Sequence, residues 1–232
     1  MSFTGVIVNT GTVLAGSLLG LLFKKGIPEK VSRAVMIALG LFTLYIGIDG
    51  ALGTQSPLIV VASLVLGAFV GTLLNIDGAI NRLGLWAERK FKRGDGETVS
   101  IAEGFMTASL LFCVGAMTVN GAIEAGVKGV NTLFFTKALM DLVSSTMLAS
   151  GLGFGVLLSA VFVLVFQGLL VLLAGWIAPV LTPAAIAEMT AAGSLIMVAL
   201  GLNLLGVTKI KVADYLPAIV IAPVICWIVS LF

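Results

Sequence analysis

Residues 154–177 run for 24 positions, FGVLLSAVFVLVFQGLLVLLAGWI, without one charged side chain. A helix rises about 1.5 Å per residue and the bilayer's hydrocarbon core is roughly 30 Å thick, so about 20 such residues cross it. Comparable segments recur along the chain. Hydropathy places spans at 5–23, 33–52, 57–76, 101–120, 131–150, 154–177, 185–206 and 214–232. Eight spans take up about 160 residues, which leaves little beyond connecting loops. The expectation is one integral membrane domain over residues 1–232, an all-α polytopic helix bundle.

Composition excludes the alternatives. The 232 residues are 59% apolar and 10% charged, against about 45–50% and about 25% in soluble domains. A water-soluble enzyme is therefore ruled out. The chain has no histidine, which removes imidazole-based catalysis, haem ligation and the usual zinc sites. Cys113 and Cys226 lie far apart in apolar surroundings and read as small core hydrophobes. The net charge of +2, with basic residues confined to loops, carries no nucleic-acid signal. No catalytic residue, metal site or cofactor is expected.

Charge also fixes an expected orientation. The apolar run Gly5–Phe23 precedes Lys24-Lys25, whereas a cleaved signal carries its positive charge first, so this segment reads as a retained helix. Basic residues gather at Lys24, Lys25, Lys30 and Arg33, at Arg82, Arg89, Lys90, Lys92 and Arg93, and at Lys209 and Lys211. With eight spans all three clusters face the cytoplasm, both termini face outside, and only Lys128 falls in an outer loop. The two central segments, 101–120 and 131–150, are where a broken or re-entrant element competes with a full crossing, because the first is glycine-rich and the second holds Lys137 and Asp141. The parity of the basic loops requires both to cross or neither. Residues 77–94, with Ile80, Leu83, Leu85, Trp86 and Phe91 among Arg82, Glu88, Arg89, Lys90 and Lys92, read as a linker whose interfacial helix rests on anionic lipid.

Residues 28–54 resemble 182–208 at an offset of 154: Leu41 pairs with Leu195, Gly47 with Gly201, Asp49 with Asn203 and Thr54 with Thr208. Halves of about 1–76 and 154–232 would then be related, with 101–150 a central polar pair of segments. An odd number of spans separates their starts, so the halves would cross in opposite directions, the inverted repeat of secondary transporters and some channels. Gly16-x-x-x-Gly20 and Gly67-x-x-x-Gly71 fit close helix packing.

An ionisable side chain at mid-bilayer costs about 2.5–3.5 kcal/mol on insertion scales. Lys137 and Asp141, four residues apart, share a helix face, and Ser144 and Ser145 continue it. Asn9, Asp49, Asn120 and Glu124 fall toward the same outer half and complete a candidate ion- or solute-binding set. In this reading Glu124 and Asp141 bind a cation or proton and Lys137 is a switchable counter-charge. The competing reading is an ion pair that only holds the fold. Gln167 and Asn203 are expected to make interhelical hydrogen bonds.

Several motifs carry a family resemblance: Gly5-x-x-x-Asn9 with Gly11, Gly16 and Gly20; Cys113-Val-Gly-Ala-Met117-x-x-x-Gly121-Ala-Ile-x-x-Gly126; Lys137-Ala-x-x-Asp141; Gly201-x-Asn203-Leu-Leu; and Lys209-x-Lys211 ahead of Leu216-Pro217-Ala218. Across essentially its whole length the chain resembles domain-of-unknown-function family 554. The resemblance implies a bacterial inner-membrane protein of a family described as candidate transport proteins. It departs at Ala116, where the family pattern carries proline, a change that would soften a kink there. The functional expectation is a secondary transporter or channel for an ion or small solute, coupled to a proton or Na⁺, with membrane lipids as partners and a homodimer as a further assembly. The alternative is a non-catalytic scaffold or regulatory subunit.

Overall fold

A computed structural model describes residues 1–24, 29–82, 101–113, 115–179 and 181–230. The described residues are helical, with no strand among them. The helices are α1 (Thr4–Lys24), α2 (Glu29–Ala51), α3 (Pro57–Leu74), α4 (Ile101–Cys113), α5 (Ala116–Ile123), α6 (Thr132–Leu152), α7 (Phe154–Ile177), α8 (Pro183–Leu204) and α9 (Ala218–Val229). A π-helical turn, Glu124–Lys128, extends α5, and a 3₁₀ turn, Val212–Tyr215, precedes α9. Of the expected interfacial helix, residues 76–82 are helical; residues 83–94 lie outside the described residues.

Six helices are long and apolar enough to cross a membrane, and the pair α4–α5, bent by 57°, makes a seventh when counted as one span. The eighth segment, α6, has 21 residues, about 32 Å of helix; Lys137 and Asp141 lower its hydropathy. Chain ends and turns obey local chemistry. Pro57 and Pro183 open α3 and α8 at positions where a missing N–H costs nothing. Gly153, at φ 75°, makes the one-residue joint between α6 and α7.

The chain divides into two compact units: residues 1–37, 80–113 and 117–174, and residues 38–79, 114–116 and 175–232. Each draws segments from both halves of the sequence.

In the first unit the buried face of α1 is Gly5, Val6, Asn9, Thr10, Val13, Gly16, Ser17 and Gly20, a helical stripe of small and polar residues. It lies against α6. A β-carbon at Gly5 would meet Phe134 and Asn131, one at Gly16 would overlap the Ser145 hydroxyl and the Leu142 carbonyl, and one at Gly20 would overlap the Thr146 carbonyl. Contacts advance together along both helices, so α6 runs parallel to α1 for most of its length and crosses where α1 crosses. The bent pair behaves the same way beside α7. Gly155 packs on Ile101 and Phe105, the Phe105 and Phe162 rings meet edge to face at 5.9 Å, and Gly126 packs on Val171 and Ala174. The segment thus travels from one end of α7 to the other. A re-entrant loop would return to the end it left, so 101–128 follows the path of a broken span.

In the second unit α8 is the most enclosed helix; α2 packs on it, and α3 packs on it and on α9. Gly40 of α2 meets Leu205, Gly47 meets Val198 and Gly50 meets Ser194, an antiparallel pairing. A β-carbon at Gly47 would lie 2.8 Å from Val198 N, and one at Gly201 3.0 Å from Leu44 N. At the 154-residue offset Leu44 corresponds to Val198 and Gly47 to Gly201, so these two contacts exchange with each other. Antiparallel spans have an even number of crossings between them. Between α2 and α8 those are α3, α4–α5, α6 and α7.

Candidate functional site

Lys137 and Asp141 sit one turn apart on the buried face of α6, and the Lys137 ammonium donates to Asp141 Oδ1 at 2.9 Å. The residues are 7% and 5% exposed, and Asp141 lies about 14 Å along the helix from Thr132, near the middle of a membrane-length segment. The same ammonium lies 6.0 Å from the centroid of the Phe112 ring, within the range of a cation–π attraction.

Phe112 belongs to the last turn of α4, just before the helix breaks. Gly115, at φ 155°, interrupts the ladder of backbone hydrogen bonds, and the bend stands with alanine at position 116. A break at membrane depth exposes carbonyls that lipid cannot satisfy, so protein must. The Phe112 carbonyl accepts from the Thr118 hydroxyl at 3.1 Å and from Gln167 Nε2 of α7 at 3.5 Å. Gln167 Oε1 in turn accepts from Asn9 Nδ2 of α1 at 3.2 Å, and the Asn9 amide lies beside the Asp141 carboxylate. The contacts close a ring: Phe112 to Gln167, to Asn9, to Asp141, to Lys137, and back to the Phe112 ring. Four helices, α1, α4, α6 and α7, are tied together by side chains that are nearly or wholly buried.

Two acceptors in this ring have no hydrogen-bond partner among the described residues, Asn9 Oδ1 and Asp141 Oδ2. Glu124 and Asp141 were expected to act together; Glu124 is half-buried at the start of the π-helical turn. Ser145 is buried, donates to the Leu142 carbonyl at 3.1 Å and faces Gly16. Ser144 is half-buried, and Asn120 is exposed on α5. Asp49 is exposed and belongs to the second unit. Gln167 makes the interhelical bonds expected of it. Asn203 does not: it holds the loop after α8, accepting from the Thr208 hydroxyl and the Ile210 N–H. Both cysteines are free, Cys113 buried and Cys226 half-buried.

One buried acid escaped the sequence reading. Glu188 of α8 is 1% exposed and accepts from the Thr54 hydroxyl at 2.6 Å, the Gln55 N–H at 2.7 Å and the Ser56 N–H at 2.8 Å. It satisfies the free N–H groups where α3 begins, a fixed capping arrangement with both oxygens used. The signal was present: a carboxylate in the second turn of an apolar span needs partners.

Comparison with known proteins places these residues in a family context. The family model described as a protein of unknown function (DUF554) matches residues 4–227. The chain is 32% identical to the uncharacterized membrane protein YdfK of Bacillus subtilis, covering 98% of this chain and 97% of that one. It is 27% identical to the uncharacterized protein YqgA of Escherichia coli, covering 94% of each. No solved structure matches it.

Proposed function

Since the chain belongs to the DUF554 family of membrane proteins, we propose that it is a secondary transporter, or a channel, for an ion or small solute, with Asp141 as its coupling carboxylate. The observation that carries this reading is the buried Lys137–Asp141 pair beside a broken span. Holding two charges at membrane depth is expensive, and well-packed apolar residues stabilise a fold at least as well. Discontinuous spans with polar side chains near the midplane are where transporters place their sites.

The exchangeable contacts Gly47–Val198 and Gly201–Leu44 support an inverted repeat, with α2 and α8 meeting across its pseudo-two-fold axis. Antiparallel packing of Gly67 on Ala218 and Gly71 on Asp214 extends the same relation to α3 and α9. In this reading the protein lies in the bacterial cytoplasmic membrane with both termini outside and the basic loops inside.

The test is reconstitution into liposomes carrying interior pH- and Na⁺-sensitive dyes, with a panel of small ions and solutes supplied outside. Wild type should give a solute-dependent proton or Na⁺ signal that Asp141→Asn lacks while remaining folded. Equal signals from both proteins would remove Asp141 from the mechanism, and the absence of any signal would favour a non-transporting scaffold.

A further inference from the structure

We infer that Asn9 Oδ1 and Asp141 Oδ2 form a binding site for a dehydrated small monovalent metal cation, Na⁺ in the first instance, and that Lys137 is its built-in competitor. This deepens the transport reading and rests on it.

The donor inventory leads there. The Asn9 NH₂ group donates one N–H to Gln167 and lies beside the Asp141 carboxylate, while its carbonyl oxygen has no hydrogen-bond partner; Asp141 Oδ1 accepts from Lys137 and Oδ2 has no partner either. Asn9 is 0% exposed and Asp141 5%, on helices α1 and α6 that glycines bring into close contact. A buried acceptor without a donor is costly, more so in a membrane. Two unpartnered acceptor oxygens on adjacent buried side chains ask for a positive ligand. Both are hard oxygens, the class that binds alkali and alkaline-earth ions rather than soft metals. Charge selects between these: Asp141 is the one carboxylate of the ring and already faces Lys137, so a divalent ion would leave two excess positive charges where a monovalent ion leaves one. No group of three His, Cys, Asp or Glu side chains that could hold a metal occurs among the described residues.

Lys137 makes the site exchangeable. Its ammonium has two berths, Asp141 at 2.9 Å and the Phe112 ring at 6.0 Å. With Na⁺ on Asp141 the lysine retires toward the ring; without Na⁺ it neutralises the carboxylate itself. The apo protein therefore never holds a bare buried charge, and the ammonium and the metal ion compete for one carboxylate.

The experiment is thermal melting of the purified full-length protein in NaCl, or in N-methyl-D-glucamine chloride of equal ionic strength, since a ligand of the folded state raises Tm. Wild type should show a saturable rise with Na⁺. Lys137→Met should melt lower without Na⁺ and reach half-maximal stabilisation at a Na⁺ concentration at least ten-fold lower than wild type. Adding Asp141→Asn to Lys137→Met, which removes both charges, should abolish the response, and Asn9→Ala should weaken it at least several-fold. If Lys137→Met does not fold, Lys137→Gln and direct ²²Na⁺ binding to wild type take its place. Identical Na⁺ dependence in the single and double variants, or none in any protein, overturns the site. Asp141-dependent solute flux without Na⁺ binding would sink this proposal alone, whereas Na⁺ binding without flux would keep the site and sink the transport reading.

Discussion

Gly16→Ala is the sharpest probe of how the site is held together. Gly16 lies at the α1–α6 seam, where a β-carbon would overlap the Ser145 hydroxyl and the Leu142 carbonyl and come within 3.0 Å of Thr146 Oγ1. The Leu142 carbonyl is backbone and cannot rotate away, so the helices must part. Overpacking of this kind costs about 1–3 kcal/mol. Parting the helices also loosens the Asn9 contacts to Gln167 and Asp141, each worth about 0.6–1.7 kcal/mol in a membrane protein. The expected loss is about 2–4 kcal/mol. Gly11 is the internal control: it is on the same helix, exposed, and nothing lies within 4 Å of a β-carbon there. Gly11→Ala should be neutral or stabilising by up to about 1 kcal/mol, since alanine is the better helix former. Equilibrium unfolding in mixed micelles, titrated with SDS, reads both. Equal stability of the two variants would refute the close α1–α6 packing and the parallel path of α6 derived from it.

Other consequences follow from single contacts. Glu188→Ala should cost about 3 kcal/mol or more in the same assay, because it strips partners from one hydroxyl and two backbone N–H groups; Glu188→Gln, which retains an acceptor oxygen, should cost clearly less. Gly47→Ala and Gly201→Ala should each cost about 1–3 kcal/mol and by similar amounts, since they insert a methyl at contacts the 154-residue offset exchanges; a neutral result at one would break the equivalence. Gln167→Leu should cost about 1–2 kcal/mol, and it removes one of the two donors to the Phe112 carbonyl, so amide exchange across residues 115–120 should quicken. Unchanged exchange there would mean that Gln167 does not secure the break.

Hydropathy alone made the membrane fold legible, since span length is set by bilayer thickness and charge is excluded from apolar runs. The Lys137–Asp141 pair was legible too, because partners four residues apart meet on any helix. Its surroundings were not. Asn9 and Gln167 are 158 positions apart, and no local rule pairs them; they meet because α1 and α7 both border the break after Cys113. Glu188 was passed over although a carboxylate in the second turn of an apolar span also needs partners. Asp49 and Asn120 are exposed, and neither belongs to the ring around Asp141.

A membrane-embedded Lys137–Asp141 pair requires that α4–α5 and α6 both cross the membrane. With Cys113 and Cys226 replaced by alanine, single cysteines at Val130→Cys, between those segments, and Lys209→Cys, between α8 and α9, report their sides to a membrane-impermeant maleimide in intact cells. Val130 is 43% exposed and Lys209 is also exposed. Two full crossings predict that the cysteine at 130 labels in intact cells and that the one at 209 labels only after lysis. Labelling of both on the same side would contradict the crossing of α6 and, with it, the membrane-embedded site.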